Sequence, residues 1–115
     1  MRNEIRRGQV VLVSLDPVIG SEEGKTRLAL IIQNNIGNEL SSTTIVALIT
    51  SNIYSKKFPT NVEIDGSNSP LKTKLTVLLN QIRTIDKKRI IRVCGLISAR
   101  KLREVDEAII DSLGL

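Results

Sequence analysis

The stretch that decides the fold is Leu28-Ala29-Leu30-Ile31-Ile32, an unbroken apolar run between two polar segments. A short continuous run of this kind is typical of a strand that is buried on both faces. The polar segment at residues 20–26 precedes the run and has a glycine at position 20 and another at position 24, and a turn-forming cluster at residues 33–38 follows it. We therefore expect a buried strand that lies between a long, mobile loop and a turn.

Similar β-rich segments lie on both sides of this strand. The predicted strands are residues 9–15, 28–32, 43–49, 62–65, 75–79 and 90–94. Several of them end at clusters of Pro, Gly, Asn, Asp or Ser, where a ladder stops and a turn begins. A helical or tight turn is expected at residues 85–89.

The last part of the chain changes to a helical period. Ser98 can cap a helix, and Gly114 is its natural stop. The apolar stripe of this predicted helix consists of Leu102, Val105, Ala108 or Ile109, and Leu113. About six short strands and one terminal helix predict a single domain over residues 1–115, a small and mostly antiparallel barrel with the helix packed against it.

Composition excludes several kinds of chemistry. The 115 residues contain no His and a single Cys, Cys94. Triads that need an imidazole, His-liganded metals and ribonuclease mechanisms with two histidines are therefore ruled out. Cys94 cannot form an intramolecular disulfide, and its apolar neighbours predict a buried, unreactive thiol.

Charge is unevenly distributed along the chain. The net charge is +5, but residues 56–103 carry twelve basic and three acidic side chains, and residues 104–115 carry four acidic and no basic ones. A basic segment suits a polyanion, because phosphate neutralisation releases counterions. Charge alone favours the alternative, an ordinary solvated surface, over a nucleic-acid site. The two aromatic residues, Tyr54 and Phe58, offer little for a general RNA-binding module built on stacked bases.

The chain has no sequence feature that predicts membrane insertion. Its longest apolar runs are far shorter than the roughly 20 residues that a membrane span needs, and the N-terminal residues are charged. We expect a soluble, cytoplasmic protein.

Three side chains are candidates for handling a phosphodiester. Arg27 lies where the polar loop joins the buried strand, and its planar guanidinium can bind two phosphoryl oxygens while staying protonated. Thr50 closes an apolar strand and could hold a phosphate with its hydroxyl. Gln81 follows another apolar strand, where its amide could contact a base edge. Each of these residues also has an ordinary structural interpretation.

Several short motifs follow one another along nearly the whole chain. They are Arg7-Gly8-Gln9-Val10, Leu15-Asp16-Pro17-Val18-Ile19-Gly20-Ser21-Glu22, Thr26-Arg27-Leu28-Ala29-Leu30-Ile31-Ile32-Gln33-Asn34-Asn35-Ile36-Gly37-Asn38, Val46-Ala47-Leu48-Ile49-Thr50, Asn61-Val62-Glu63-Ile64, Leu78-Leu79-Asn80-Gln81-Ile82-Arg83-Thr84-Ile85-Asp86-Lys87-Lys88-Arg89 and Ser112-Leu113-Gly114-Leu115. Each motif is weak alone. Their order and spacing resemble the MazF/PemK-type toxins, the endoribonucleases of bacterial toxin–antitoxin pairs.

The resemblance implies an SH3-like barrel of the CcdB/PemK type, a homodimer, and single-stranded RNA held in a groove along the dimer interface. It implies sequence-specific cleavage of mRNA without a metal or other cofactor. Arg27 and Thr50 match the catalytic pair of the family, and Ser21, Glu22 and Gln81 match its RNA contacts. The family's antitoxin, a MazE-like protein, inserts an acidic C-terminal segment into the same groove.

The chain departs from the family pattern at three positions. Leu28 replaces a common proline, Asn80 replaces a common Glu, and Lys25 stands where a small uncharged residue is more typical. Lys25 and Asn80 are expected to border the groove, so Lys25 joins the candidate RNA-binding residues. The resemblance therefore does not supply the base preference of this chain.

The expected reaction begins when a ribose 2′-hydroxyl attacks the adjacent phosphorus, and it leaves a 2′,3′-cyclic phosphate and a 5′-hydroxyl. Arg27 would stabilise the developing charge, Thr50 would position the phosphate, and Glu22 is a candidate general base. Two alternatives stay open. One is a CcdB-type gyrase poison, although the Trp-Gly-Ile end of that toxin is absent here; the other is a catalytically silent barrel that binds RNA or antitoxin.

Overall fold

The fold is seen in a computed structural model that describes residues 4–15, 25–54, 56–65 and 73–115. These ranges contain the following strands and helices, in chain order. They are β1 (Gln9–Ser14), β2 (Thr26–Ile31), α1 (Asn35–Leu40), β3 (Thr43–Thr50), β4 (Asn61–Ile64), β5 (Leu75–Asp86), a 3₁₀ turn (Lys87–Arg89), β6 (Ile90–Leu96) and α2 (Ala99–Leu113). No helix in these ranges is long and apolar enough to cross a membrane.

The described strands form one curled antiparallel sheet, in the order β4-β5-β3-β2-β1-β6. The strands β4 and β6 are its two edges, and β2 and β3 pair near its middle. The sheet forms a half-barrel, and α2 contacts it at β4 and β5. A mostly β fold with a C-terminal helix, as the sequence predicts, is confirmed.

The two faces of the sheet carry separate apolar cores, because side chains alternate along each strand. The face under α2 includes Leu30 and Ala47 and receives Val105 and Ala108 from the helix. The opposite face includes Val13, Ala29, Ile31, Val46 and Leu48. The central run at residues 28–32 is therefore buried on both faces, as predicted, although Leu28 is only half-buried.

The predicted limits of the C-terminal helix are correct. The Ser98 hydroxyl accepts a hydrogen bond from the backbone N–H of Lys101, which caps the first turn of α2. Gly114 ends the helix in the left-handed conformation, at a φ of 73°, which glycine adopts without steric cost. Leu113 is a correction, because its side chain is 58% exposed and does not complete the buried stripe.

The predicted turn at residues 33–38 contains the start of α1. The Asn34 side chain caps this short helix by accepting from the backbone N–H of Gly37. Asn38 is buried, and its Oδ1 accepts from Gln33 and from the Thr44 hydroxyl. Its Nδ2 donates to the backbone oxygen of Gln33 and to the side chain of Asn35. Tertiary hydrogen bonds therefore hold a helix that is too short to be stable alone.

Strand β5 is longer than predicted and contains an irregularity. Leu78 pairs with Leu48, and the next paired residue of β5 is Ile82, which pairs with Ala47. Three residues of β5, at positions 79–81, thus lie between adjacent pairs on β3. Bulges of this kind bend a strand and redirect its side chains. The side chain of Leu79 stays buried, whereas Asn80 and Gln81 are exposed.

Candidate active site

Arg27 and Thr50 lie on one face of the sheet, on neighbouring strands. Arg27 pairs with Val13, and Thr50 follows Leu48 by two residues, so both share the face of the Val13 and Leu48 core. Ala29 pairs with Leu48, and continuing this register by two residues brings Arg27 opposite Thr50. Neighbouring strands are about 4.8 Å apart. The sheet therefore brings the two predicted catalytic residues together.

A backbone contact orients the Arg27 side chain. Its Nη2 donates a hydrogen bond of 2.9 Å to the backbone oxygen of Ile49, the residue before Thr50. The side chain is half-buried, and no carboxylate of the described residues forms an ion pair with it. A guanidinium has five N–H donors, and within the described residues only this one is engaged.

The hydroxyl of Thr50 faces the start of the connection to β4. Its Oγ1 accepts a hydrogen bond of 3.2 Å from the backbone N–H of Asn52. Thr76, the cross-strand partner of Thr50, donates from its own hydroxyl to the backbone oxygen of Asn52 at 3.0 Å. Two threonines on adjacent strands thus fix both polar backbone groups of Asn52.

Lys25 precedes Arg27 by two residues and lies just before β2 begins. Its backbone oxygen accepts from the backbone N–H of Leu15, which closes the hairpin ends of β1 and β2, and the residue is exposed. Lys25 is two residues from Arg27, so its ammonium adds positive charge near the guanidinium. Ser21 and Glu22 lie outside the described residues.

Gln81 lies in the irregular part of β5 and is exposed. The pairs on either side of that segment are formed with Ala47 and Leu48, which precede Thr50 by two to three residues. At about 3.3 Å per strand residue, Gln81 is level with positions roughly 7–10 Å from Thr50 along β3. The structure brings Arg27, Thr50 and Lys25 together and places Gln81 on a neighbouring part of the sheet.

Sequence reasoning missed two residues at this site. Thr76 is buried and fixes Asn52, and the signal was a hydroxyl inside the otherwise apolar segment Leu75-Thr76-Val77. Lys74 is exposed, and continuing the β3–β5 register brings it opposite Asn52. Its charge was counted in the basic segment, but its position depends on a strand pairing that the sequence does not show.

The described residues contain no group of three His, Cys, Asp or Glu side chains that could hold a metal ion. Cys94 is half-buried and packs against the core under α2. The described part of the site consists of a guanidinium, hydroxyls, ammonium groups and backbone amides on one face of a curled sheet.

A family model described as "PemK-like, MazF-like toxin of type II toxin-antitoxin system" matches residues 6–113. The chain belongs to this family. The match covers β1 through α2 and includes Arg27, Thr50, Thr76 and Gln81.

Solved structures of MazF proteins share the fold. An endoribonuclease from a mycobacterial species, in complex with its cognate antitoxin, has a TM-score of 0.80 and 23% identity, and the match covers 96% of each chain. The MazF–MazE complex of Deinococcus radiodurans also has a TM-score of 0.80 and 23% identity, and covers 99% of each chain. The toxin MazF-mt6 of Mycobacterium tuberculosis has a TM-score of 0.78 and 23% identity, and covers 93% of this chain and 97% of that one.

Proposed function

We propose that this MazF-like toxin is an endoribonuclease that cuts single-stranded mRNA at a short base motif, in the cytoplasm, without a metal ion. The observation that carries the proposal is the position of Arg27, whose guanidinium is fixed beside Thr50 and has no carboxylate partner among the described residues. A fixed cation of this kind is complementary to a phosphoryl group that gains charge in a transition state.

The reaction needs a nucleophile, an electrostatic stabiliser and proton transfer. The ribose 2′-oxygen attacks phosphorus, the bond from phosphorus to the 5′-oxygen breaks, and the products are a 2′,3′-cyclic phosphate and a 5′-hydroxyl. Arg27 stabilises the phosphoryl oxygens, and the Thr50 hydroxyl positions the same phosphate. Glu22 accepts the proton of the 2′-hydroxyl, and solvent returns a proton to the departing 5′-oxygen.

Binding of RNA rests on charge and on polar contacts around this pair. Continuing the strand registers places Lys25 and Lys74 level with Asn52, just beyond Arg27 and Thr50, and both lysines are exposed. We assign them to the RNA backbone, and we assign Ser21, Glu22 and Gln81 to contacts near the cleaved bond. Ammonium groups that neutralise phosphates make binding sensitive to salt.

The decisive experiment is cleavage of a single-stranded RNA in excess EDTA, with analysis of the new ends. We expect cyclic phosphate and 5′-hydroxyl ends, and no cutting where the ribose at the cleavage site lacks its 2′-hydroxyl. A strict metal requirement, or equal cutting of DNA, contradicts the proposal. RNA binding without any cleavage would instead support the silent-barrel alternative.

An antitoxin partner follows from the family and from the charge of the site. We propose that a MazE-like antitoxin places an acidic C-terminal segment over Arg27 and its neighbouring lysines and so competes with RNA. The structures of mycobacterial and Deinococcus relatives in complex with their antitoxins support this partner. Simultaneous binding of an acidic peptide and RNA at this face would contradict it.

The homodimer is proposed to form through β6. This strand is one edge of the sheet and presents Ile91 and Leu96 to solvent. Exposed apolar side chains on an open edge favour association with another chain. Because β6 lies two strands from β2, a second copy paired at this edge would lie three strand spacings, roughly 14 Å, from the strand that carries Arg27. The partner would then form one wall of the groove that takes RNA.

A further inference from the structure

Tyr54 and Phe58 form an exposed aromatic pair. Their ring centroids are 6.0 Å apart and the rings are perpendicular. Tyr54 is 38% exposed and Phe58 is 47% exposed. Edge-to-face packing fixes the two rings relative to each other and leaves ring surface open to solvent. A pair of this kind can stack on a flat ligand.

The pair lies on the segment that leaves the candidate active site. Thr50 ends β3, and Tyr54 follows it by four residues, so the two Cα atoms are at most about 14 Å apart. The segment begins in a fixed position because the hydroxyls of Thr50 and Thr76 hold Asn52. Thr76 also lines a cavity beside the rings of Tyr54 and Phe58. This shared residue places the aromatic pair next to the candidate active site.

The cavity beside the pair is small and is lined by charges of both signs. Its volume is about 120 Å³, well below the roughly 300–1,000 Å³ of pockets for drug-sized ligands. Lys56, Lys57 and Lys101 line it, and so do Glu63 and Glu104. Lys56 and Lys57, which form no ion pair among the described residues, provide charge for the phosphates on either side of a base.

Of the two carboxylates that line the cavity, Glu63 favours a base over a phosphate as the part of the RNA that faces it. Glu104 forms an ion pair of 3.3 Å with Lys101. Glu63 has no hydrogen-bond partner among the described residues. It is half-buried on β4, where it pairs with Thr76 of β5. A phosphate or an acidic peptide would be repelled by Glu63. An exocyclic amino group of a base can donate to it.

We infer that Tyr54 and Phe58 form a stacking site for one base of single-stranded RNA, near the phosphate held by Arg27, with Glu63 accepting a hydrogen bond from the amino group of that base. The inference takes its choice of RNA from the proposed function. It adds a specificity element on the segment between β3 and β4. The scarcity of aromatic residues in the sequence had disfavoured a general RNA-binding module built on stacked bases, but a single stacking site needs only these two rings.

The intrinsic fluorescence of Tyr54 can report binding at this site. Tyr54 is the only tyrosine and there is no tryptophan, so the intrinsic fluorescence comes from Tyr54. The probes are short single-stranded oligonucleotides of cytidine, adenosine or uridine, 2′-O-methylated throughout so that they cannot be cut. We expect cytidine and adenosine oligonucleotides to quench the emission strongly. A phosphodiester chain of abasic residues is the control, and it should leave the emission unchanged.

Variants separate stacking from simple apolar contact. Tyr54→Leu and Phe58→Leu keep apolar volume but remove the ring, and each should weaken binding of a labelled cytidine oligonucleotide roughly five- to hundredfold. Tyr54→Phe keeps the ring and should bind like the wild type. Ile53→Ala changes the exposed neighbouring side chain and serves as the matched control. Glu63→Gln should reduce the preference for cytidine over uridine.

Three results would overturn the inference. The first is RNA binding by fluorescence anisotropy with unchanged Tyr54 emission. The second is equal binding by the wild type and both leucine variants, with their folds verified by thermal denaturation. The third is quenching by an acidic peptide instead of RNA, which would assign the rings to the antitoxin. These assays do not depend on cleavage, so a toxin that cuts RNA but shows none of these effects would contradict only this inference.

Discussion

The Nη2 atom of Arg27 lies 2.9 Å from the backbone oxygen of Ile49, the residue that precedes Thr50. This contact links the guanidinium on β2 to the end of β3, so the positive charge of Arg27 is fixed in position relative to the Thr50 hydroxyl. A group that is already oriented needs little reorganisation when charge develops on a substrate. The contact uses a single N–H, and no other described residue accepts a hydrogen bond from the planar donor set.

The first prediction concerns Arg27. Arg27→Ala should lower kcat for RNA cleavage by about 10²–10³-fold or more, because it removes the fixed cation. Arg27→Lys should recover only a small part of the activity, since an ammonium cannot both contact Ile49 and present a planar pair of donors. Circular dichroism and thermal unfolding provide the control for folding. Wild-type activity in either variant would refute the assignment.

The second prediction concerns the Thr50 hydroxyl. Thr50→Val should reduce kcat/KM by about ten- to hundredfold, because it removes a phosphate donor and the acceptor for the Asn52 N–H. Thr50→Ser restores both hydrogen bonds and should recover most of the rate. Steady-state cleavage of a defined RNA measures the effect. If the valine and serine variants are equally active, the hydroxyl has no role.

The third prediction separates Thr76 from the catalytic pair. Thr76→Val should cost about 1 kcal/mol of stability, because the hydroxyl that binds the Asn52 oxygen is lost. Cleavage should fall only severalfold, mostly through KM, since Thr76 positions the segment and does not touch the phosphate. A double-mutant cycle with Thr50→Val should show coupling. Strictly additive effects would contradict a shared role at Asn52.

The fourth prediction tests the buried side chain that holds α1. Asn38→Ala should lower the free energy of unfolding by about 1–3 kcal/mol, because it removes the acceptor for the buried Thr44 hydroxyl and two hydrogen bonds to Gln33. Urea unfolding measures the loss. The cleavage rate of the folded fraction should be unchanged, as α1 adjoins the opposite end of β3 from Thr50. A selective loss of activity in a stable variant would contradict a structural role.

The fifth prediction tests self-association through β6. Ile91→Lys places a charge on the exposed edge strand and should shift the protein from dimer to monomer in sedimentation velocity. Ile53→Lys is the matched control, because Ile53 is 53% exposed and Ile91 is 52% exposed. Equal dimerisation by both variants would place the interface elsewhere.

Elements with a clear period and clear stops could be predicted from the sequence. The apolar run at residues 28–32 and the capped helix from Ser98 to Gly114 are examples, because an apolar run and capping residues are local features of a sequence. The helix α1 was missed because it is short and depends on contacts of Asn38 with Thr44 on β3. The extension of β5 was missed because its bulge breaks the alternation between positions 78 and 82.

The candidate site was predictable only in part, for a related reason. Arg27 and Thr50 were identified through the family motifs, but their proximity depends on the register between β2 and β3. Thr76 and Lys74 come to the same place through the pairing of β3 with β5. Long-range strand register leaves no local mark in the sequence, so residues that lack a recognised motif could not be assigned to the site.

The two edges of the sheet differ in a way that limits how copies of this chain can assemble. The strand β4 has four residues, follows Pro59 closely and carries the acidic Glu63, whereas β6 has seven residues and carries exposed Ile91 and Leu96. Short, charged edges resist further pairing. Two copies that join through β6 would leave only their β4 edges exposed, and these edges disfavour pairing with a further copy. The assembly therefore closes as a dimer and does not grow into a fibre.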